Sequence, residues 1–380
     1  MADASARRPR LLHVHSSFSL GGKEARAVRL MNIWGDRAEH AIISAVPDAM
    51  GARAAIDPGT PVHFPQAPLL AGRPGMGRFR ALARFMADYN LVLSYNWGAM
   101  DAVMAHRLFA PFMRLPPLIH HEDGFNADEA RSLKPQRNLY RRIALQRAQA
   151  LVVPSVRLET IARREWRQPA DKVYLIRNGI DVARYADPPA PNAIPMLRRT
   201  PGKLLVGTLA GLRPVKNLVR LVRAVAPHRD RVQLVIVGEG PEREAIVAEA
   251  AACGLDDLCM AGFMAEPWRF VGLFDIFALS SDSEQFPISL VEAMAAGVPV
   301  ASMDVGDVAT MVAPENGRFI MPDEAGLSSA IATLASDASL RAALGAANRA
   351  RATRDFAETA MVEAYARLYG EALAMPRILF

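Results

Sequence analysis

Two glutamates, Glu284 and Glu292, stand eight residues apart around the string Phe286-Pro287-Ile288-Ser289. Pro287 suits the first position of a helix, because its missing N–H would have no intrahelical acceptor there. The amides of Ile288 and Ser289 that follow are then free to hold a phosphate, and the helix dipole favours its negative charge. Glu292, in the first turns, can reach sugar hydroxyls such as those of a ribose. Upstream, Arg213 and Lys216 lie three apart in Gly211-Leu212-Arg213-Pro214-Val215-Lys216-Asn217. Two fixed cations at a strand-to-helix junction suit a diphosphate, whose charge grows as its bond to a sugar breaks. Solvated surface charge is the bland alternative.

Weaker signals lie in the first half. Ser16 to Glu24 includes the pair Gly21-Gly22 between a strand and a helix, where backbone amides can approach an anion. It is not G-x-G-x-x-G, which argues against a dinucleotide. In Ile119-His120-His121-Glu122-Asp123-Gly124-Phe125, a strand end could present His120, His121 or Asp123. Asp282-x-Glu284 superficially resembles a metal-binding pair, but one carboxylate pair without further ligands makes a poor divalent site, so no metal is expected. A basic stretch with Arg131, Lys134, Arg137, Arg141, Arg142 and Arg147 suits an anionic lipid surface or, equally well, a solvated helix face.

These loops must be carried by regular elements. Short apolar runs alternate with amphipathic stretches throughout, the pattern of βαβ units on parallel sheets. Strands are expected at 11–15, 41–46, 91–94, 118–121, 150–153 and 173–176, then at 204–209, 233–237, 258–261, 276–279 and 298–302. Helices fall between them, one starting at Ser155 as N-cap. Two more, near 327–344 and 355–373, close the chain. Residues 187–201 hold five prolines without periodicity and read as a linker. The expected architecture is α/β: two Rossmann-like domains facing across a cleft, at 1–186 and 202–355, with a C-terminal helix at 356–380 packing back on the first. In such sheets ligands sit beyond the carboxyl ends of the strands, where all these loops lie.

A chain of 380 residues with about half apolar residues is long enough for two cores. No apolar run is long and uncharged enough for a membrane span, and the N-terminus lacks the apolar core of a secretory signal. Two cysteines, Cys253 and Cys259, suit a reducing cytoplasm and give no metal cluster. Charge is uneven: residues 1–190 carry 27 Lys and Arg against 17 Asp and Glu, the rest 18 against 22. Different partners for the two halves are one reading, and an arginine-rich composition set by a GC-rich genome is the equal alternative. A nucleic-acid role is not expected, since no aromatic-basic interleaving occurs.

The string SEQFPISLVEAMAAGVPV with its E-x(7)-E, preceded by GLRPVKN and VIVGEGPERE, resembles glycosyltransferase family 4, the GT-B-fold retaining enzymes. The likeness extends from the glycine loop at Gly21–Glu24 through Asn178-Gly179-Ile180-Asp181 to the C-terminal helices. It implies a nucleotide-diphosphate sugar donor held mainly by the second domain, a carbohydrate or lipid-linked acceptor held mainly by the first, and neither metal nor cofactor. Glu284 would lie against the donor sugar, Glu292 on the ribose and Lys216 on the phosphates. Arg213 would serve from a shorter spacing than the family arginine, whose position here is Gly211. Gly262 and Phe263 fall where the base is touched, and the family histidine falls among His120, His121 and Asp123, with His121 favoured and Asp123 close behind. Gly21, Gly22, Phe286, Pro287, Ile288 and Ser289 complete the expected donor contacts. The setting implied is cytoplasmic, peripheral on the inner membrane face, in bacterial envelope or exopolysaccharide assembly. A sugar-nucleotide epimerase or phosphorylase of the same fold, and a non-catalytic sugar-nucleotide sensor, are the competing readings.

Overall fold

The computed structural model describes all residues except 1–7, 20, 71, 73, 74, 126–128, 130 and 131. The chain forms two compact units, one of residues 1–177 with 361–380, the other of residues 178–360.

The first unit contains β1 (Arg10–His15), α1 (Gly22–Trp34), β2 (Glu39–Ser44), β3 (Val62–His63), α2 (Met76–Met86), β4 (Leu91–Tyr95), α3 (Met100–Phe109), β5 (Leu118–His121), α4 (Pro135–Ala144), β6 (Ala150–Val153), α5 (Val156–Arg164) and β7 (Val173–Leu175). Its seven strands are all parallel, in the order β3-β2-β1-β4-β5-β6-β7. The second unit contains β8 (Leu204–Leu209), α6 (Leu218–Val225), β9 (Val232–Val237), α7 (Arg243–Ala252), β10 (Cys259–Gly262), β11 (Ile276–Leu279), α8 (Ile288–Ala295), β12 (Val300–Met303), α9 (Val308–Met311), β13 (Ile320–Met321), α10 (Glu324–Ser336) and α11 (Ala338–Asp355). Its sheet is also parallel, in the order β10-β9-β8-β11-β12-β13. The last helix, α12 (Glu358–Ala372), belongs to the first unit from Met361 onward.

Helices cover both faces of each sheet, so strands such as Val232–Val237 are buried at every position and are apolar throughout except at Gln233. On the first sheet, Leu12 and Val14 face α2, α3 and α5, while Leu11 faces α1 and α12. Ser155 caps α5 by accepting from Leu158 N at 3.1 Å, as its sequence predicts.

Three expectations change. The segment 187–201 is no free connector: it lies inside the second unit, with Ile194 buried in the core and Thr200 N donating to Gln233 Oε1 at 3.0 Å. Its prolines preclude regular structure but not docking. The expected helix at 327–344 is two helices, because extended Asp337 ends α10 and accepts from Leu340 N at 2.9 Å to cap α11. The edge strands β3 and β13, two residues each, are too short to carry a period. Among the described residues no helix is long and apolar enough to cross a membrane.

Beneath α1 and α12 lies a buried aromatic layer. His15 stacks on Tyr95 with ring centroids 4.2 Å apart, and Tyr95 on His121 at 4.6 Å. His13 bonds Tyr95 at 3.1 Å and His40 at 3.0 Å. Burial holds His13, His15 and His121 well below the usual histidine range, and His40 at about 4. These rings stay neutral in the fold and take protons in the unfolded chain below about pH 6.5. The unfolded state therefore binds more protons, and stability is full at neutral pH and lost as pH falls. Glu292, raised to about 7 by burial, acts in the opposite direction but belongs to the second unit. The urea midpoint of the first unit should therefore drop between pH 7.5 and pH 5; an unchanged midpoint would contradict the neutral assignment.

Candidate functional site

Neighbouring parallel strands β8 and β11 send their C-terminal loops out side by side. After β8, a single 3-10 turn (Pro214–Lys216) ends at Asn217, whose left-handed backbone starts α6 and whose side chain accepts from Arg220 N. After β11 come Ser280 to Glu284. Ser280 Oγ donates to Lys216 O at 3.0 Å, and Asp282 N to Val215 O at 2.9 Å. Asp282 accepts from Asn217 Nδ2 at 3.1 Å and pairs with Arg220 at 2.7 Å. These bonds bring Lys216 Nζ within 2.5 Å of Glu284 Oε1, which also accepts from Ser281 Oγ at 2.7 Å. Both carboxylates of Asp282-x-Glu284 are thus already matched by cations.

Arg213 is exposed and folds back over Gly211, its Nε 3.6 Å from where a Cβ at 211 would stand. Gly211 therefore leaves open the space that this guanidinium covers. Glu284 is held from the other side by Gly306, at φ +59° and so close that a Cβ would lie 2.5 Å from Glu284 O. Sequence reading passed over Gly306; the signal is a lone glycine just past β12.

Helix α8 begins beside this cluster. Pro287 is its N-cap rather than its first residue, and no side chain caps the helix, so the amides of Ile288 and Ser289 face outward from half-buried positions. Phe286 is buried and meets Phe356 edge to face at 5.6 Å. The expected donor contact at Phe286 is corrected: its ring is core. Glu292 stands on the next turn of α8. Burial raises its carboxyl to about 7. After β10, Gly262 has a positive φ beside Glu239, and Phe263 is 67% exposed, a free aromatic face.

In the first unit the histidine alternatives resolve by strand parity. His120 and His121 point to opposite faces of β5, and both are fully buried. His120 Nδ1 meets Ser94 Oγ at 2.9 Å. His121 Nδ1 donates to Ser94 O at 3.1 Å, which leaves Nε2 to accept the Tyr369 hydroxyl at 2.7 Å. The preference for His121 is corrected, because both its nitrogens are occupied inside the layer. Asp123 is the first of the three beyond the strand and keeps partial exposure. It pairs bidentately with Arg26 of α1 (Nη2–Oδ2 2.9 Å), and its N–H donates to Asn96 Oδ1 at 2.8 Å. Arg26 and its ring neighbour Tyr365, 5.6 Å from the guanidinium, carry no motif and escaped sequence reading.

Gly21 and Gly22 do start α1, but Glu24 of the first turn folds back so that a Cβ at Gly21 would lie 2.9 Å from its Oε2. Lys23 pairs with Glu24 and donates to Ser17 O at 3.1 Å. The helix N-terminus expected to hold a donor phosphate already faces the chain's own carboxylate. Leu20 of this loop lies outside the described residues.

The basic stretch divides. Arg131 lies outside the described residues, and Lys134 and Arg147 are exposed. Arg141 is fully buried, paired with Glu122 at 3.1 Å and Glu129 at 3.3 Å, and stacked near Trp97, Phe125 and Trp166. Its role as a membrane contact is corrected, for it is an internal counter-charge. Among the described residues no three His, Cys, Asp or Glu are placed to hold a metal ion.

Two parallel α/β units with polar loops at the strand C-termini define a Rossmann-like pair of the GT-B type. Residues 21–184 match the family model for Glycosyltransferase Family 4, and residues 193–351 that for Glycosyl transferases group 1. Each match takes in less than half of the chain, and the two lie one after the other along it. A GDP-mannose-dependent alpha-mannosyltransferase of Mycobacterium tuberculosis (strain CDC 1551 / Oshkosh) is 31% identical over 156 residues, 41% of this chain and 40% of its own length. The lipopolysaccharide core biosynthesis glycosyltransferase LpsD of Rhizobium meliloti (strain 1021) is 28% identical over 162 residues, 42% and 47% of the two lengths. The chain spans about half the length of these relatives or less. The crystal structure of Anabaena Alr3699/HepE in complex with UDP superimposes with a TM-score of 0.76 at 20% identity, covering 95% of this chain and 100% of that one. WaaG, a glycosyltransferase involved in lipopolysaccharide biosynthesis, gives 0.66 at 16%, covering 93% and 98%.

Replacing Gly306 by alanine puts a side chain at a left-handed backbone position and against Glu284 O. Strain of about 1–3 kcal/mol should lower the melting temperature and displace Glu284. A crystal structure of Gly306→Ala with the Lys216–Glu284 pair intact would contradict this.

Proposed function

We propose that the chain is a retaining glycosyltransferase moving a sugar from a nucleoside-diphosphate donor to a carbohydrate or lipid-linked acceptor in envelope polysaccharide or glycolipid synthesis. The observation that carries this reading is the Lys216–Glu284 pair, set beside the uncapped N-terminus of α8 with Glu292 on the same helix. HepE, of the same fold, was crystallised with UDP and with UDP-glucose, which supports a nucleotide-sugar donor here.

The donor diphosphate competes with Glu284 for Lys216. Once displaced, the Glu284 carboxylate is free to accept hydrogen bonds from the sugar. Arg213, Lys216 and the Ile288 and Ser289 amides take up the charge that grows on the diphosphate as its bond to the anomeric carbon breaks. Glu292 accepts from the ribose hydroxyls, and Phe263 offers a face to the base. We assign neither carboxylate the role of nucleophile: Asp282 stays bound to Arg220 and Asn217, and the freed Glu284 is given to the sugar hydroxyls. The acceptor oxygen therefore attacks from the face the diphosphate leaves, its proton passing to a departing phosphate oxygen, and the anomeric configuration is kept. We assign no metal or cofactor to this step. Asp123, partly exposed and fixed by Arg26, is our choice for the first unit's contact with the reactants.

A lipid-linked acceptor would be met at the inner membrane face. Leu139 and Ile143, exposed one turn apart on α4 near Lys134, support that contact. Anionic vesicles should sediment the protein, and Leu139→Ser/Ile143→Ser should weaken this; unchanged sedimentation would remove α4 from it.

Purified Lys216→Ala and Glu284→Ala should each lose at least about a hundredfold in turnover, as when other charge-stabilising groups are deleted. A panel of nucleotide sugars should raise the melting temperature for the true donor by mass action, by about 2.7 kcal/mol of stability at a hundredfold excess over Kd. Inverted product, read by NMR, or near-normal turnover in Lys216→Ala, would overturn the mechanism.

A further inference from the structure

Asn96, in the loop after β4, has φ +58° and ψ −177°. A left-handed φ with an extended ψ is open freely only to glycine, and any other residue holds it at a cost. The neighbours on either side enforce it. Tyr95 lies in the aromatic layer, stacked on His15 and on His121. Trp97 packs against the core on the opposite face, meeting Tyr140 edge to face at 5.6 Å and the Arg141 guanidinium at 4.8 Å. Residues two apart on a strand share a face, so these two take opposite faces only because the strand breaks between them. Gly98 then seats the loop tightly on the loop after β1, where a Cβ at 98 would stand 2.5 Å from Ser16 Cβ.

Glycine at position 96 would make this turn without strain. What asparagine adds is its side chain. Asn96 N donates to His121 O at 2.8 Å, prolonging the ladder between β4 and β5, and Asn96 Oδ1 accepts the Asp123 N–H at 2.8 Å. The Asp123 carboxylate is held separately, by the buried Arg26 guanidinium (Nη2–Oδ2 2.9 Å). One contact fixes the backbone of Asp123 and the other its side chain.

We propose that Asn96 is a positioning residue for Asp123, keeping a strained backbone from which Oδ1 reaches the Asp123 N–H and sets the carboxylate toward the hydroxyls of the donor's sugar. The inference rests on the contact with the reactants given to Asp123 above. Each carboxylate oxygen that accepts from Arg26 keeps a lone pair for a sugar hydroxyl. Fixing the group in the fold removes its ordering cost from binding.

The test is calorimetric binding of UDP-glucose against UDP and of GDP-mannose against GDP, the ratio within each pair giving what the sugar adds. Wild type should bind one of the two sugar nucleotides more tightly than its nucleoside diphosphate. Asn96→Ala and Asn96→Gly both remove Oδ1, and both should lose that gain, on the order of tenfold, as for a lost bond to a charged group. Asn96→Gly should nevertheless melt at a higher temperature than Asn96→Ala, because it sheds the strain. Asn96→Asp keeps an oxygen at Oδ1 and tolerates the positive φ, so it should restore the gain. A purely structural turn would make the gain follow melting temperature across the variants. That result, or a wild-type gain in Asn96→Gly, overturns the positioning role alone. Asp123→Glu keeps a charge for Arg26 but moves the carboxylate, and it should lose the gain. A wild-type gain in Asp123→Glu, or no gain from either sugar in the wild type, overturns the Asp123 contact and the positioning role with it.

Discussion

The Lys216–Glu284 ion pair exists because two parallel strands, β8 and β11, are neighbours, and their outgoing loops are bonded to each other before either meets a ligand. Backbone and side-chain bonds from Ser280, Asp282, Asn217 and Arg220 hold the loops in register. A lysine at the end of a mobile loop would lose side-chain and backbone freedom on binding a phosphate. Here much of that ordering is already done in the fold, so more of the electrostatic attraction appears as binding. Gly306 extends the constraint to the far side of Glu284, and Pro287 then starts α8 where its free amides add to the same field.

Charge in the two units is handled by different physics. In the second, the cations sit in partly exposed loops, where water screens them until a ligand excludes it. In the first, Arg26 and Arg141 are buried and each is matched by carboxylates, Arg26 by Asp123, Arg141 by Glu122 and Glu129. Such pairs add little net stability, but deleting one partner strands a buried charge at a cost of several kcal/mol. They fix the stretch from Glu122 to Asp123 at the end of β5 in one conformation. The aromatic layer of His13, His15, Tyr95, His121 and Tyr369 lies on the Arg26 side of the sheet and ties the C-terminal helix to the same strand.

The alternation of apolar runs and amphipathic stretches in the amino-acid sequence determined eleven of the strands nearly to their ends, because strands buried on both faces are mostly apolar. Strands β3 and β13 were too short to show a period. The placement of Lys216, Glu284 and the start of α8 in loops that follow strands was legible too, since it is local. What only the tertiary structure decided is which of these groups meet. Strand parity separated His120 from His121 and left Asp123 at the edge. The fold-back of Glu24 occupied the helix start that Gly21 and Gly22 offer. Burial turned Arg141 inward, and the path of the loop after β8 laid Arg213 over Gly211. Each of these depends on distances between residues far apart in the chain or on which face a side chain takes, and both are set by packing, which a linear pattern of residue types does not carry.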